Sequence, residues 1–241
     1  MRVPLTDLQS IYVINVRAFT ERLAHVRAQL ARFDLTAQVI NEWDREALTP
    51  QIEAQYFCES PLSQAQKSCA MKHVVALQHI ATGTAGYHLV LEDDVVLAED
   101  FMQGLKAALR EAPHYPDPHV IFLGCGGNFY TPRSQRRQGQ RLYPATRGRF
   151  ADSYLITPAT AQRRLQWIEL NRISQPMDNQ FESMDRILGI QMLWLEDPVV
   201  EQGSKLGLFD TSLEPAHSGW VQWLKFHLEK LRRKYVYQLW R

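Results

Sequence analysis

The sequence predicts an α/β protein, a mixed or parallel sheet covered by helices, and three observations carry that expectation. β-rich and amphipathic segments alternate along the chain, the pattern of strand–helix–strand crossover units. The β-rich runs are short and continuously apolar, as in Leu89-Val90-Leu91 and Val120-Ile121-Phe122-Leu123. Such runs mark strands covered on both faces. One of them ends abruptly in Glu92-Asp93-Asp94, and open α/β sheets hold their ligands at the carboxyl ends of strands.

The elements follow in order. Ile11-Tyr12-Val13-Ile14 is the first strand, with residues 15–18 as its exit loop. Residues 22–33 have helical spacing, with Leu23, Val26, Leu30 and Phe33 on one face. Residues 37–40 form a second strand. Residues 42–62 are polar, carry two prolines and predict an irregular stretch with a short helix. Ser63 caps the next helix, and Gln66 three positions on completes a capping box. That helix runs to about Thr82, with Cys69, Val74, Leu77 and Ile80 inward, and Gly83 and Gly86 end it. The acidic strand, residues 87–91, comes next.

Residues 99–112 predict a further amphipathic helix, with Phe101, Leu105, Ala108 and Leu109 inward and three prolines punctuating its end. The strand Val120-Ile121-Phe122-Leu123 leaves through Gly124-Cys125-Gly126-Gly127. Residues 131–149, with their arginines, read as a loop or hairpin. Residues 153–157 form a strand, Pro158 sits at the first position of a helix over 159–170, and residues 192–195 form a late strand. Residues 220–240 carry a long helical pattern. The predicted division is a single α/β domain over residues 1–215 and a basic amphipathic C-terminal helix over residues 216–241.

Composition narrows the class. The 241 residues are 45% hydrophobic and 22% charged, with a formal net charge of +1, as in ordinary globular proteins. The charge is unevenly spread. Residues 225–241 carry six basic side chains against Glu229 alone, and residues 133–149 carry six arginines and no acid. Cys58, Cys69 and Cys125 are widely spaced without a CxxC pair, which argues against a disulfide framework or structural zinc and suits a reducing cytosol. No segment matches a signal peptide or a spanning helix. A cytoplasmic protein follows, at most peripheral on a membrane.

The acidic triplet carries most of the chemistry. Three adjacent carboxylates repel one another and are costly to desolvate. A divalent cation holding a phosphorylated ligand resolves both problems, and hard oxygens suit Mg²⁺ or Mn²⁺. A solvated loop, or the first turn of the next helix, suits the same triplet. Gly124-Cys125-Gly126-Gly127 fits neither the dinucleotide nor the P-loop pattern, so a plain turn is favoured. Asp178, in Pro176-Met177-Asp178-Asn179, fits a general base or, more simply, a helix N-cap. His73 reads as a satisfied helix histidine, and His217 as a lone loop residue. The basic, aromatic tail suits an anionic membrane surface or a helix packed back on the domain. Without an RNP or helix-turn-helix signature, nucleic acid is not an expected partner.

The order of these motifs resembles glycosyltransferase family 25, the bacterial lipooligosaccharide galactosyltransferase group similar to the animal collagen galactosyltransferases. Six blocks carry the resemblance. They are Ile11-Tyr12-Val13-Ile14-Asn15-Val16-Arg17 with Arg22, the stretch from Ser63 through Cys69 to His73, the acidic strand, and later blocks at residues 152–156, 176–179 and 198–202. Ser68 and Lys72 depart from the family's usual Gly and Ser. The resemblance implies a GT-A-like, Rossmann-type mixed sheet, a nucleotide-sugar donor and inversion at the transferred sugar. It further implies a divalent cation, Mn²⁺ or Mg²⁺, held by Asp94 with Asp93 or Glu92 assisting. Glu92 is alternatively on the ribose or uridine side. Asn15, Arg17, Glu92, Asp93 and Gln202 are expected to contact the UDP-sugar donor, and Asp178 to act as catalytic base beside Asp94. The expected acceptor is a lipid-linked saccharide, such as lipooligosaccharide outer core. The competing readings are a metal-dependent nucleotidyl or phosphoryl transferase and a non-catalytic saccharide- or nucleotide-binding module.

Overall fold

The computed structural model describes residues 7–204 together with Leu206, Leu208 and Phe209. The basic helix expected over 216–241, the division at residue 215 and His217 lie outside the described residues. The chain begins with β1 (Leu8–Ile14), α1 (Thr20–Ala31) and β2 (Gln38–Ile40), and β1 and β2 pair in parallel, as a crossover unit requires. A short helix, α2 (Pro50–Tyr56), precedes α3 (Gln64–Ala81). Both halves of the Ser63–Gln66 capping box are formed. Next come β3 (Tyr87–Glu92), β4 (Val95–Leu97), α4 (Phe101–Glu111), β5 (His119–Phe122), β6 (Leu142–Ala145) and β7 (Ser153–Ile156). The described chain closes with α5 (Pro158–Asn171), α6 (Met177–Leu188), β8 (Gln191–Leu195) and β9 (Val200–Gln202).

Seven strands form one sheet in the order β2-β1-β3-β7-β5-β8-β6, and β4 pairs with β9 in a second, two-stranded sheet. β1, β2, β3, β5 and β8 run one way; β6 and β7 run against their neighbours. The predicted mixed sheet flanked by helices is therefore what the chain forms. Alternation along each strand feeds two cores. Tyr12, Val90, Tyr154 and Phe122 join Val74, Leu77 and Ile80 of α3 on one face. Ile11, Val13, Leu89, Leu91 and Leu155 join Val26 and Leu30 of α1 and Phe101 and Leu105 of α4 on the other.

Two expectations are corrected. The arginine-rich stretch is not a hairpin: it contributes β6, which pairs with β8 at the margin of the sheet. Pro144 is tolerated there because an edge strand need not donate on both sides. The acidic triplet is neither a solvated loop nor the first turn of a helix. Glu92 ends β3, and Asp93 and Asp94 form the turn to β4, 6% and 5% exposed.

Candidate active site

The register of the sheet sets the site. Ile14 lies opposite Glu92, and Leu91 opposite Ser153. The carboxyl ends of β1 and β3 and the amino end of the antiparallel β7 therefore reach the same edge. The Glu92 backbone N–H donates to the Asp152 carbonyl at 2.8 Å, which fastens the acidic turn to the start of β7. A cavity of about 310 Å³ opens there, within the range of small-ligand sites.

Six of the residues expected at the site line this cavity: Asn15, Glu92, Asp93, Asp94, Asp178 and Gln202. Arg17 does not. It is exposed, its backbone N–H donates to the Asp44 carboxylate at 3.2 Å, and its Nε donates to the Asn41 carbonyl at 3.1 Å. Arg22 and Arg45 line the cavity instead.

The three acids have different surroundings. Asp93 accepts from Asn15 Nδ2 at 2.7 Å and pairs with Arg22 at 3.4 Å, so both of its oxygens are engaged. Burial pushes its carboxyl up, against the pull of Asn15 and Arg22. Asp94 Oδ2 accepts from the Ser204 backbone at 3.4 Å. Asp94 Oδ1 is buried and, among the described residues, has no hydrogen-bond partner; neither has Asn15 Oδ1. Glu92 is pushed well above the usual carboxylate range by burial, then by the charges of Asp94, Asp178, Asp152 and Asp93.

Asp178 is not the helix cap. Pro176 holds the N-cap position of α6 with a φ of −51° and no side-chain bond, and Asp178 lies in the first turn. Its Oδ1 accepts from the Ala151 backbone at 2.6 Å, a cross-link from α6 to the loop before β7.

Sequence reasoning missed Asp152 and one face of α3. Asp152 is buried, accepts from Ser153 Oγ at 2.7 Å, and is pushed up to about 8 by burial and by the charges of Asp178 and Asp94. The glycine turn after β5 makes room for it: a Cβ on Gly124 would lie 2.5 Å from Asp152 Oδ1, and one on Gly126 would strike the Phe150 backbone. That turn is packing space rather than a phosphate cradle. Ala65, Ser68, Cys69 and Lys72 of α3 also line the cavity. Their i, i+3, i+4, i+7 spacing was the available signal for a helix face turned to the site. Lys72, 1% exposed, donates from Nζ to the Glu42 carbonyl and to Asp44 Oδ1, both at 2.6 Å. The family's usual serine is too short to make that link.

The comparisons with known proteins are as follows. A family model described as glycosyltransferase family 25 (LPS biosynthesis protein) matches residues 8–180. No curated protein matches the chain. Among solved structures, the chain is similar to a Drosophila β1,4-galactosyltransferase 7 mutant in complex with manganese, UDP-Gal and xylobiose. The identity is 11%, the match covers 88% of this chain and 77% of that one, and the TM-score is 0.43. It is also similar to the galactosyltransferase LgtC in complex with donor and acceptor sugar analogues, at 11% identity over 92% of this chain and 95% of that one, with a TM-score of 0.43.

Proposed function

The chain belongs to glycosyltransferase family 25, and from that premise we propose an inverting, metal-dependent galactosyltransferase that uses UDP-galactose. The proposed acceptor is a lipooligosaccharide, lipopolysaccharide or other cell-surface glycan, lipid-linked when it meets the enzyme. The observation that carries the proposal is Asp94 Oδ1, buried without a partner in a cavity that Asp178 also lines. An unpaired carboxylate oxygen held away from water is stable only if a cation or a donor completes it.

The donor set fits a hard divalent ion. Asp94 offers the unengaged oxygen in the cavity, and a carboxylate oxygen suits Mn²⁺ or Mg²⁺. Asp93 is occupied by Asn15 and Arg22, so in this proposal it orients those two residues and Asp94 is the principal ligand. When bound, the cation neutralises charge developing on the departing diphosphate.

The remaining roles follow from donor and acceptor chemistry. Asn15 Oδ1 accepts but does not donate, so it suits an N–H or O–H of the nucleoside rather than a phosphate. Arg22 and Arg45, rather than Arg17, face the diphosphate of the donor in this reading, because they line the cavity and carry fixed positive charge. Gln202 borders the donor from β9. Asp178 takes the proton of the acceptor hydroxyl as its oxygen bonds to the anomeric carbon; the bond from that carbon to the phosphate oxygen breaks and UDP leaves. The exposed arginines of residues 133–147 suit a phosphorylated acceptor or an anionic membrane surface. Among the described residues no helix is long and apolar enough to cross a membrane.

Calorimetric titration of UDP and UDP-galactose, with Mn²⁺ and then with chelator, tests the proposal. Metal-dependent binding of both is expected. Binding of neither under either condition would overturn the donor assignment.

A further inference from the structure

Beside the carboxylate cavity lies a group of side chains with a different chemistry. One ligand atom each from Cys69, His73 and Glu92 falls within 4.8 Å of the others. Cys69 and His73 stand four residues apart on α3 and so share a face. Glu92 ends β3 and approaches from the sheet. His73 is fully buried, and its Nδ1 lies 3.1 Å from the Tyr154 hydroxyl. Its Nε2 is buried and makes no hydrogen bond; Glu92 Oε1 lies 3.6 Å away, beyond hydrogen-bond reach. A ring that donates from Nδ1 to Tyr154 presents the Nε2 lone pair to Cys69 and Glu92, the arrangement typical of metal-ligating histidines.

We propose that Cys69, His73 and Glu92 form a second metal site, one for a softer divalent ion such as Zn²⁺, separate from the hard-oxygen position at Asp94. One thiolate, one imidazole and one carboxylate favour zinc or cobalt over magnesium or manganese. Cys69 and Glu92 line the cavity, so the remaining coordination position faces it and takes a water or a ligand oxygen. Binding forms a metal–sulfur bond and releases the thiol proton to solvent, with no change of oxidation state. The site stands or falls separately from UDP-galactose as donor.

Cobalt is the probe. Titrating the full chain with Co²⁺ is expected to develop the near-ultraviolet absorption of a cobalt–thiolate bond and the intense visible bands of a four-coordinate ion. Cys69→Ser is expected to lose the thiolate absorption and to bind Zn²⁺ at least about tenfold more weakly, the scale seen when metal-site partners are removed. Asp94→Asn is expected to keep the absorption. A thiolate band that is absent, or that survives Cys69→Ser, would overturn the site, and so would its loss in Asp94→Asn. A second measurement needs no variant. Zn²⁺ is expected to slow alkylation of Cys69, located by mass spectrometry, while Mn²⁺ does not. Equal alkylation with and without Zn²⁺ would also overturn it.

Discussion

Between α5 and α6 the protein buries a guanidinium and a carboxylate completely. Arg164 Nε and Nη2 donate to the two oxygens of Asp185 at 2.9 and 2.6 Å, both residues are 0% exposed, and the guanidinium lies 3.9 Å from the Phe181 ring centroid. At the carboxyl edge of the sheet the same fold gathers Glu92, Asp94, Asp152 and Asp178, and burial together with the neighbouring charges raises the proton affinity of Glu92 and Asp152. Asp94 Oδ1 is left without a partner. The first arrangement balances its charge and joins two helices, with Arg164 Nη1 alone of the pair's polar atoms left without a hydrogen bond. The second leaves an oxygen open among the described residues, and in the proposed function a cation completes it. A buried charge that is paired belongs to the architecture; a cluster of one sign around an unengaged oxygen, in a cavity, is the mark of a ligand site.

The comparison can be sharpened first at Asp178. Asp178→Asn keeps an oxygen for the Ala151 backbone and is expected to leave stability and UDP affinity nearly unchanged. It is expected to lower the rate of sugar transfer about 10²–10⁴-fold, the usual worth of a general base. Full activity would remove it from that role. Next comes the paired side. Arg164→Met leaves Asp185 buried without its partner and is expected to cost about 3–5 kcal/mol in urea unfolding. Replacing both residues with apolar side chains is expected to recover most of that loss. A cost for the single variant below about 1 kcal/mol, the range of surface pairs, would erase the distinction between the two regions.

The third effect is smaller and depends on pH. Asp152 titrates at about 8 in the folded protein, against about 3.9 in an unfolded chain. Its contribution to stability is therefore full below about pH 3.9 and is lost as pH rises from there to about 8. Asp152→Asn is expected to gain stability relative to the parent between pH 5 and pH 8, by at most about 1.4 kcal/mol per pH unit. Urea unfolding in chelator at several pH values measures this. A difference that stays constant with pH would contradict it.

Much of this was legible in the chain because apolar runs announce covered strands: β1, β3, β5, β7 and β8 each lie on one. The short pairs were not. Val95–Leu97 merges with the acids before it, and its partner Val200–Gln202 is about a hundred residues away, so no local pattern links them. Strand direction was also hidden. The rule that ligands gather at carboxyl ends found Asn15 and the acidic turn. It missed Asp152, which reaches the same edge only because β7 runs backwards. Arg17 and Arg22 both follow the first strand, and composition does not say which one turns inward. The answer lies in α1, whose first turn carries Arg22 toward Asp93, while Arg17 stays on the loop held by Asn41 and Asp44.

The central claim is that a cation completes the open oxygen of Asp94. Thermal unfolding of the parent chain and of Asp94→Asn, each in chelator and in excess Mn²⁺, tests it most directly. A ligand present at a hundred times its dissociation constant stabilises the folded state by about 2.7 kcal/mol. The account predicts a clear upward shift of Tm with Mn²⁺ in the parent, little or none in Asp94→Asn, and a variant at least as stable as the parent in chelator. Equal shifts in both proteins, or a variant much less stable in chelator, would contradict it.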